Sequence, residues 1–165
     1  MKTTVFALAC GLALVPAAFA AEFQPYPGAT RSDELTKEVR AELAKARPRA
    51  RLLYGDPEIY TTKAAFEDVL AFYKKLGAKE FMLATPWSTG PHEETIPAEM
   101  IDGAPPGGMK FEKAILILDD ATEPYKSTCW VEISYPLAGK KEGNKIGSIE
   151  EITGITYVKK KEPLE

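Results

Sequence analysis

Residues 57–83, PEIYTTKAAFEDVLAFYKKLGAKEFML, place the strongest constraint on what this chain can fold into. Lys74 and Lys75 stand where the last turn of a helix favours positive charge, and Gly77 suits the left-handed conformation that ends helices. We expect the hydroxyl of Thr62 to cap the start of this helix. The segment therefore predicts a strand, a helix and a second strand. Its apolar positions recur at helical spacing: Phe66, Val69, Leu70, Phe72, Tyr73 and Leu76.

Each residue type in this segment is explained by packing or by a helix end. We therefore interpret the segment as scaffold rather than as a binding site. Ser32 is placed to cap an earlier helix, which carries a narrow apolar stripe and ends before Pro48.

Five strands are predicted in the whole chain, including the two just described. The run AILIL is continuously apolar, which is typical of a strand covered on both faces. The run STCWVEISY alternates, so Cys129 lies on its core side and Trp130 on its otherwise polar side. Short polar links favour antiparallel pairing. The predicted strands are residues 50–62, 79–84, 114–118, 127–135 and 149–161.

These elements predict an α+β fold. We expect an antiparallel sheet of about five strands with two helices packed on one face, in a two-layer sandwich. Residues 85–112 are rich in proline and glycine and have no sustained period, so they predict one long loop.

The first twenty residues predict a signal peptide. Lys2 is followed by an apolar run, Val5 to Val15, that is much shorter than the roughly 20 residues of a membrane span. Ala18-Phe19-Ala20 then provides small residues at the cleavage positions, so we expect cleavage between Ala20 and Ala21. The mature chain, residues 21–165, would form a single domain located in the periplasm or secreted.

Charge and cysteine content restrict the function further. The net charge is −3, or −4 once Lys2 is removed, which argues against a general nucleic-acid binder. Only Cys129 remains after cleavage, which excludes an intramolecular disulfide and a multi-cysteine metal site. We expect Cys129 to be buried as a small hydrophobe, although pairing with another chain is the alternative. No motif for a cofactor is present.

Two segments together resemble a known pattern. Tyr26 to Ala29, YPGA, followed by Tyr60 to Lys75, YTTKAAFEDVLAFYKK, is similar to a recurring segment of small exported bacterial proteins. That family has no assigned activity, so the resemblance implies export and no catalytic residue.

The long loop holds most of the candidate functional residues. His92 is the only histidine and lies beside Glu93 and Glu94, which suggests an acid–base group or a metal ligand, but no zinc-binding spacing accompanies it. Ser88, His92 and Asp102 have the residue types of a hydrolytic triad without a nucleophile elbow. We predict neither a metal site nor a triad here.

Charged groups elsewhere have simpler interpretations. Asp119, Asp120 and Glu123 offer oxygen ligands for calcium, but the surrounding sequence predicts an ordinary charged turn. Two basic groups, residues 47–51 and residues 159–161, are interpreted as solvated surface. Attachment to an anionic membrane surface is the alternative for these two groups.

The preferred hypothesis is a non-catalytic binding or accessory protein of the cell envelope, with an unknown protein or envelope ligand as its partner. Trp87, His92 and Trp130 are the candidate binding residues, since a tryptophan commonly anchors an interface. The competing interpretation is that Trp87 only fixes its own loop and that Trp130 packs under the first helix. The competing function is a periplasmic enzyme that uses the 85–112 loop with His92.

Overall fold

The computed structural model describes residues 23–48, 54–81, 93–101, 104–138, 141–142, 145–146 and 149–160. Within these residues the helices are α1 (Asp33–Lys45) and α2 (Phe66–Lys75), with a 3₁₀ turn at Ala98–Met100. The strands are β1 (Thr30–Arg31), β2 (Asp56–Thr62), β3 (Lys79–Phe81), β4 (Glu93–Ile96), β5 (Met109–Ile117), β6 (Cys129–Tyr135), β7 (Leu137–Ala138), β8 (Lys141–Glu142), β9 (Lys145–Ile146), β10 (Ile149–Glu150) and β11 (Thr153–Lys159).

One antiparallel sheet forms the centre of the described structure. Its strand order is β1-β2-β11-β6-β5-β3, and β4 pairs with β5 as well. The predicted α+β class is confirmed, with seven strands in this sheet rather than about five. Two-stranded pairs, β7 with β10 and β8 with β9, lie outside it. Neither α1 nor α2 is long and apolar enough to cross a membrane.

The register of the sheet separates two apolar faces. Ile155 of β11 stands between Ile133 of β6 and Tyr60 of β2, on the first face. Val158 stands between Trp130 and Pro57 on the second. Because side chains alternate along a strand, this register sends each apolar set to one side of the sheet.

Helix α2 covers the first face. It buries Phe66, Val69, Leu70 and Tyr73 against the sheet, as its apolar spacing predicts. Burying one such side chain stabilises a fold by about 1.5–3 kcal/mol. These residues form the largest cluster in the described core together with Leu116, Leu118, Val131, Ile133 and Ile155.

The ends of α2 agree only partly with those predicted from the sequence. Gly77 adopts φ 92°, as its position after the last turn predicts. The start differs, because Ala65 is the N-cap and makes no side-chain capping bond. The Thr62 hydroxyl instead accepts a hydrogen bond from the Ala64 N–H at 3.2 Å. Thr62 therefore shapes the turn before the helix, and the expectation that it caps α2 is wrong.

Helix α1 lies along the outer edge of β2. Ser32 caps it as predicted, accepting a bond from the Leu35 N–H at 3.3 Å. The Ser32 N–H donates to the Ile59 carbonyl at 2.8 Å, and the Ile59 N–H donates to the Thr36 hydroxyl at 3.0 Å. The Arg40 Nε donates to the Pro57 carbonyl at 3.1 Å. The helix thus forms hydrogen bonds with backbone groups of β2 that a neighbouring strand would otherwise bind.

The predicted long loop, residues 85–112, contains regular structure. Strand β4 and the first residues of β5 pair across it, from Glu93 opposite Glu112 to Ile96 opposite Met109. The turn between them needs glycine, because Gly108 has φ 84° and a side chain there would collide with the Ile96 carbonyl oxygen. The prediction of an unstructured loop is wrong for these residues.

Candidate functional site: the β5–β6 loop and the tryptophan face

Trp87 and His92 lie outside the described residues. The described chain stops at Phe81 and resumes at Glu93, and both of these residues pair with β5. Their partners on β5 stand three residues apart, or about 10 Å along the strand. The residues that flank the segment 82–92 therefore pair with nearby positions of one strand.

Trp130 is a core residue of the second sheet face. Its side chain is 1% exposed and packs with Ile115 and Val158. The Tyr54 ring meets the indole edge to face, with centroids 5.3 Å apart and an interplanar angle of 62°. Phe81 packs on the same cluster. The polar neighbours of Trp130 in sequence suggested a solvated face, but non-local residues cover it, and its ring is not presented at the surface.

A carboxylate lies beside this apolar cluster. The Glu132 side chain is 15% exposed, and its Oε1 atom pairs with the Lys113 ammonium at 3.2 Å. The charge of Glu132, followed by burial, raises the pKa of the Tyr54 hydroxyl. Among the described residues, Glu132 Oε2 and Trp130 Nε1 are buried without a hydrogen-bond partner. The second face therefore combines an apolar cluster with the Glu132–Lys113 ion pair.

Cys129 is only partly buried, which corrects the expectation of full burial. Its thiol donates to the Tyr157 hydroxyl oxygen at 3.7 Å. Burial raises the pKa of this thiol, against the opposing effect of the Tyr157 hydrogen bond. A raised pKa disfavours the thiolate, which is the nucleophilic form, so this environment suits a structural cysteine.

Residues 119–128, the β5–β6 loop, are held by several hydrogen bonds from side chains. The Asp119 carboxylate accepts bonds from the Thr128 N–H at 2.6 Å, the Thr128 hydroxyl at 3.0 Å and the Ala121 N–H at 3.1 Å. Burial alone would raise the pKa of Asp119, but these hydrogen bonds together lower it below its usual value. The loop is the charged turn that its sequence predicts.

Lys160 secures the tip of this loop. The residue is 7% exposed, and its ammonium donates to the Pro124 carbonyl at 2.8 Å and the Tyr125 carbonyl at 3.0 Å. Burial lowers the pKa of Lys160, and the charge of Asp119 partly opposes this shift. The interpretation of residues 159–161 as uniformly solvated is therefore wrong at Lys160, whereas Lys159 is exposed.

The sequence did contain one indication of this role. Lys160 follows Val158 by two positions, so the alternation of β11 continues toward the same side of the sheet. In the other predicted basic group Arg47 is exposed, and Arg49 and Arg51 lie outside the described residues.

The loop presents one aromatic side chain. Tyr125 is 39% exposed and is the large hydrophobic residue that the described structure leaves most open to solvent. The Lys126 ammonium lies 5.7 Å from the centre of its ring and 3.7 Å from the Glu123 carboxylate. Asp120 pairs with Lys79 at 3.5 Å. Within the described residues, no group of three or more His, Cys, Asp or Glu side chains has a geometry that could hold a metal ion.

Replacing Lys160 by methionine is expected to lower the free energy of unfolding by about 2 kcal/mol, because two carbonyl groups lose a charged donor. We expect proteolytic cleavage to become faster within residues 119–128, measured by mass spectrometry after brief protease treatment. Lys159→Met is the matched control, since Lys159 is exposed on the same strand. Equal stability and equal cleavage of the two variants would contradict this role of Lys160.

Comparison with known proteins gives no relative from which a role can be transferred. No protein-family model matches the chain, and neither curated proteins nor solved structures give a significant match.

Proposed function

We propose that this chain is an exported, non-catalytic binding or accessory protein of the cell envelope. Its binding surface is the β5–β6 loop, with Tyr125 as the aromatic anchor, and its partner is a protein or another envelope component. The presentation of Tyr125 on a loop whose backbone is held by buried groups carries this proposal.

The order of this loop lowers the entropic cost of binding a partner. A loop that is already ordered loses little conformational freedom when a partner docks, so more of the contact energy appears as affinity. Lys160 provides that order from outside the loop, and Asp119 provides it from within the loop. Tyrosine adds a large ring with few rotatable bonds and one hydroxyl, which explains its frequent use as an anchor.

The N-terminal sequence supports the location. A positively charged start, a short apolar run and the small residues before Ala21 are typical of chains exported and cleaved. Trp87 lies between Phe81 and Glu93, which both pair with β5, and it provides a second candidate contact on the same protein.

Replacing Tyr125 by alanine is expected to weaken capture of the envelope partner about tenfold to a hundredfold, as loss of an aromatic anchor does. Capture is measured with immobilised chain 21–165 in an extract of the producing cell's envelope. The melting temperature should stay unchanged, because Tyr125 is exposed. Tyr125→Phe is the matched control and should retain most of the capture, since it keeps the ring.

The same experiment with Trp87→Ala separates the two candidate anchors. Unchanged capture by Tyr125→Ala together with lost capture by Trp87→Ala would move the binding surface to the segment 82–92. Unchanged capture by both variants would contradict the proposal of an aromatic anchor.

The second candidate is a periplasmic enzyme that uses residues 85–112 with His92 as acid–base group or metal ligand. One observation favours it: Glu93, which follows His92, stands directly opposite Glu112 in the sheet. Stoichiometric zinc, calcium or manganese in the purified chain, lost in His92→Ala, would support this candidate over the binding protein.

A further inference from the structure

Phe23 occupies an aromatic socket on the first sheet face. Its ring stacks on Tyr157, with centroids 3.8 Å apart and an interplanar angle of 8°. Tyr73 of α2 is nearly parallel to it at 6.1 Å, and Tyr60 of β2 is tilted by 53° at 5.5 Å. The socket, defined as Tyr60, Tyr73 and Tyr157, thus joins a helix and two strands through the side chain of Phe23.

The residues that follow Phe23 are also bound to the fold. The Tyr26 ring meets Phe72 edge to face at 5.3 Å. The Ala29 N–H donates to the Tyr26 carbonyl at 2.9 Å, which closes a turn at Gly28 with φ 83°. Strand β1 then pairs with β2. Residues 23–31 are therefore part of the folded body.

The expected cleavage site is very close to this body. Two residues separate the Ala20–Ala21 bond from Phe23. A fully extended chain spans at most about 3.5 Å per residue, so the bond to be cut is within about 10 Å of the Phe23 backbone. A peptidase that binds an extended segment on both sides of this bond needs that space for its own cleft.

We propose that insertion of Phe23 into the socket and removal of the leader exclude one another. Cleavage adds water across the Ala20–Ala21 amide and leaves a carboxylate on Ala20 and an ammonium on Ala21. The peptidase reaches the amide only while Phe23 is out of the socket. After cleavage Phe23 inserts, and the first sheet face is completed in the mature chain. This inference depends on the proposed export.

The order of events has a consequence for the precursor. While the peptidase holds the Ala20–Ala21 bond, Tyr60, Tyr73 and Tyr157 lack the ring that stacks between them. The precursor engaged by the peptidase is therefore less stable than the mature chain, and folding of the first face is completed after release.

The test measures leader removal from the full chain, residues 1–165, in detergent with purified signal peptidase. We expect cleavage of the folded wild-type chain to be at least tenfold slower than that of folded Phe23→Ala. Leu76→Ala is the matched control, because Leu76 packs against the same core cluster and is not one of the three socket residues. It lowers stability but keeps Phe23 in the socket, so its cleavage should remain slow.

The urea-unfolded wild-type chain provides a second comparison that does not need a folded variant. Its cleavage should be at least tenfold faster than that of the folded wild-type chain. Equal rates for folded and unfolded wild-type chains would overturn the exclusion. Absence of cleavage even from the unfolded chain would overturn the proposed export itself, and the inference with it.

Discussion

Replacing Trp130 by alanine is expected to lower the free energy of unfolding by about 4 kcal/mol, the usual range for removing a buried tryptophan. The indole is 1% exposed, and Tyr54, Ile115 and Val158 surround it. Removing the ring leaves a cavity that these side chains from different segments cannot close together. Denaturant unfolding followed by circular dichroism measures this change.

Trp130→Phe is the matched control for this prediction. It keeps most of the ring volume and removes Nε1, which makes no hydrogen bond in the described structure. We expect Trp130→Phe to lower the free energy of unfolding by about 1–2 kcal/mol, well below the effect of Trp130→Ala. A Trp130→Ala variant with wild-type stability and lost partner capture would contradict the placement of this residue in the core and restore its role as an anchor.

A second large effect is expected at alkaline pH. Burial raises the pKa values of Tyr73 and Tyr157, and the charge of Glu132 together with burial raises the pKa of Tyr54. In the unfolded chain these hydroxyls ionise near pH 10. Above that pH the native state therefore holds more protons than the unfolded state, so stability falls as pH rises.

The size of the alkaline effect follows from the number of groups. For each hydroxyl that ionises only in the unfolded state, the free energy of unfolding falls by up to about 1.4 kcal/mol more per pH unit. The effect is smaller at Tyr157, where solvent screens the charge. Below pH 10 the contribution of these groups is fully present. We expect tyrosinate absorbance from these residues to appear together with loss of circular dichroism.

Tyr73→Phe provides the control for the alkaline prediction. It removes one of the raised tyrosine pKa values while keeping the ring in the core. Its stability should therefore fall less steeply between pH 10 and pH 12. Ionisation of all seven tyrosines of the chain near pH 10 without unfolding would show that these hydroxyls are not protected.

Local sequence signals predicted the elements that depend on local interactions. Ser32 and Gly77 mark helix ends whose capping involves only nearby backbone groups, and both were placed correctly. The alternation along β6 gave the correct faces for Val131 and Ile133, because side-chain alternation is a property of any strand.

The features that were missed depend on residues distant in sequence. Lys160 is buried because its ammonium reaches Pro124 and Tyr125, more than thirty positions away. The second face around Trp130 is covered partly by Tyr54, which lies far from β6 in the chain. Strand β4 is short and acquires its conformation by pairing with β5. Its sequence therefore has no long periodic run that would predict a strand. Trp87 and His92 stay predictions.

The helix along β2 also limits how copies of this chain can join. Sheets grow into fibrils when both outer strands accept further strands in turn. Here Pro57 has no N–H to offer, and α1 together with β1 already occupies the remaining bonding groups of that strand. A strand of another molecule therefore cannot pair along β2, and the outermost strand on this side, β1, offers it only two residues.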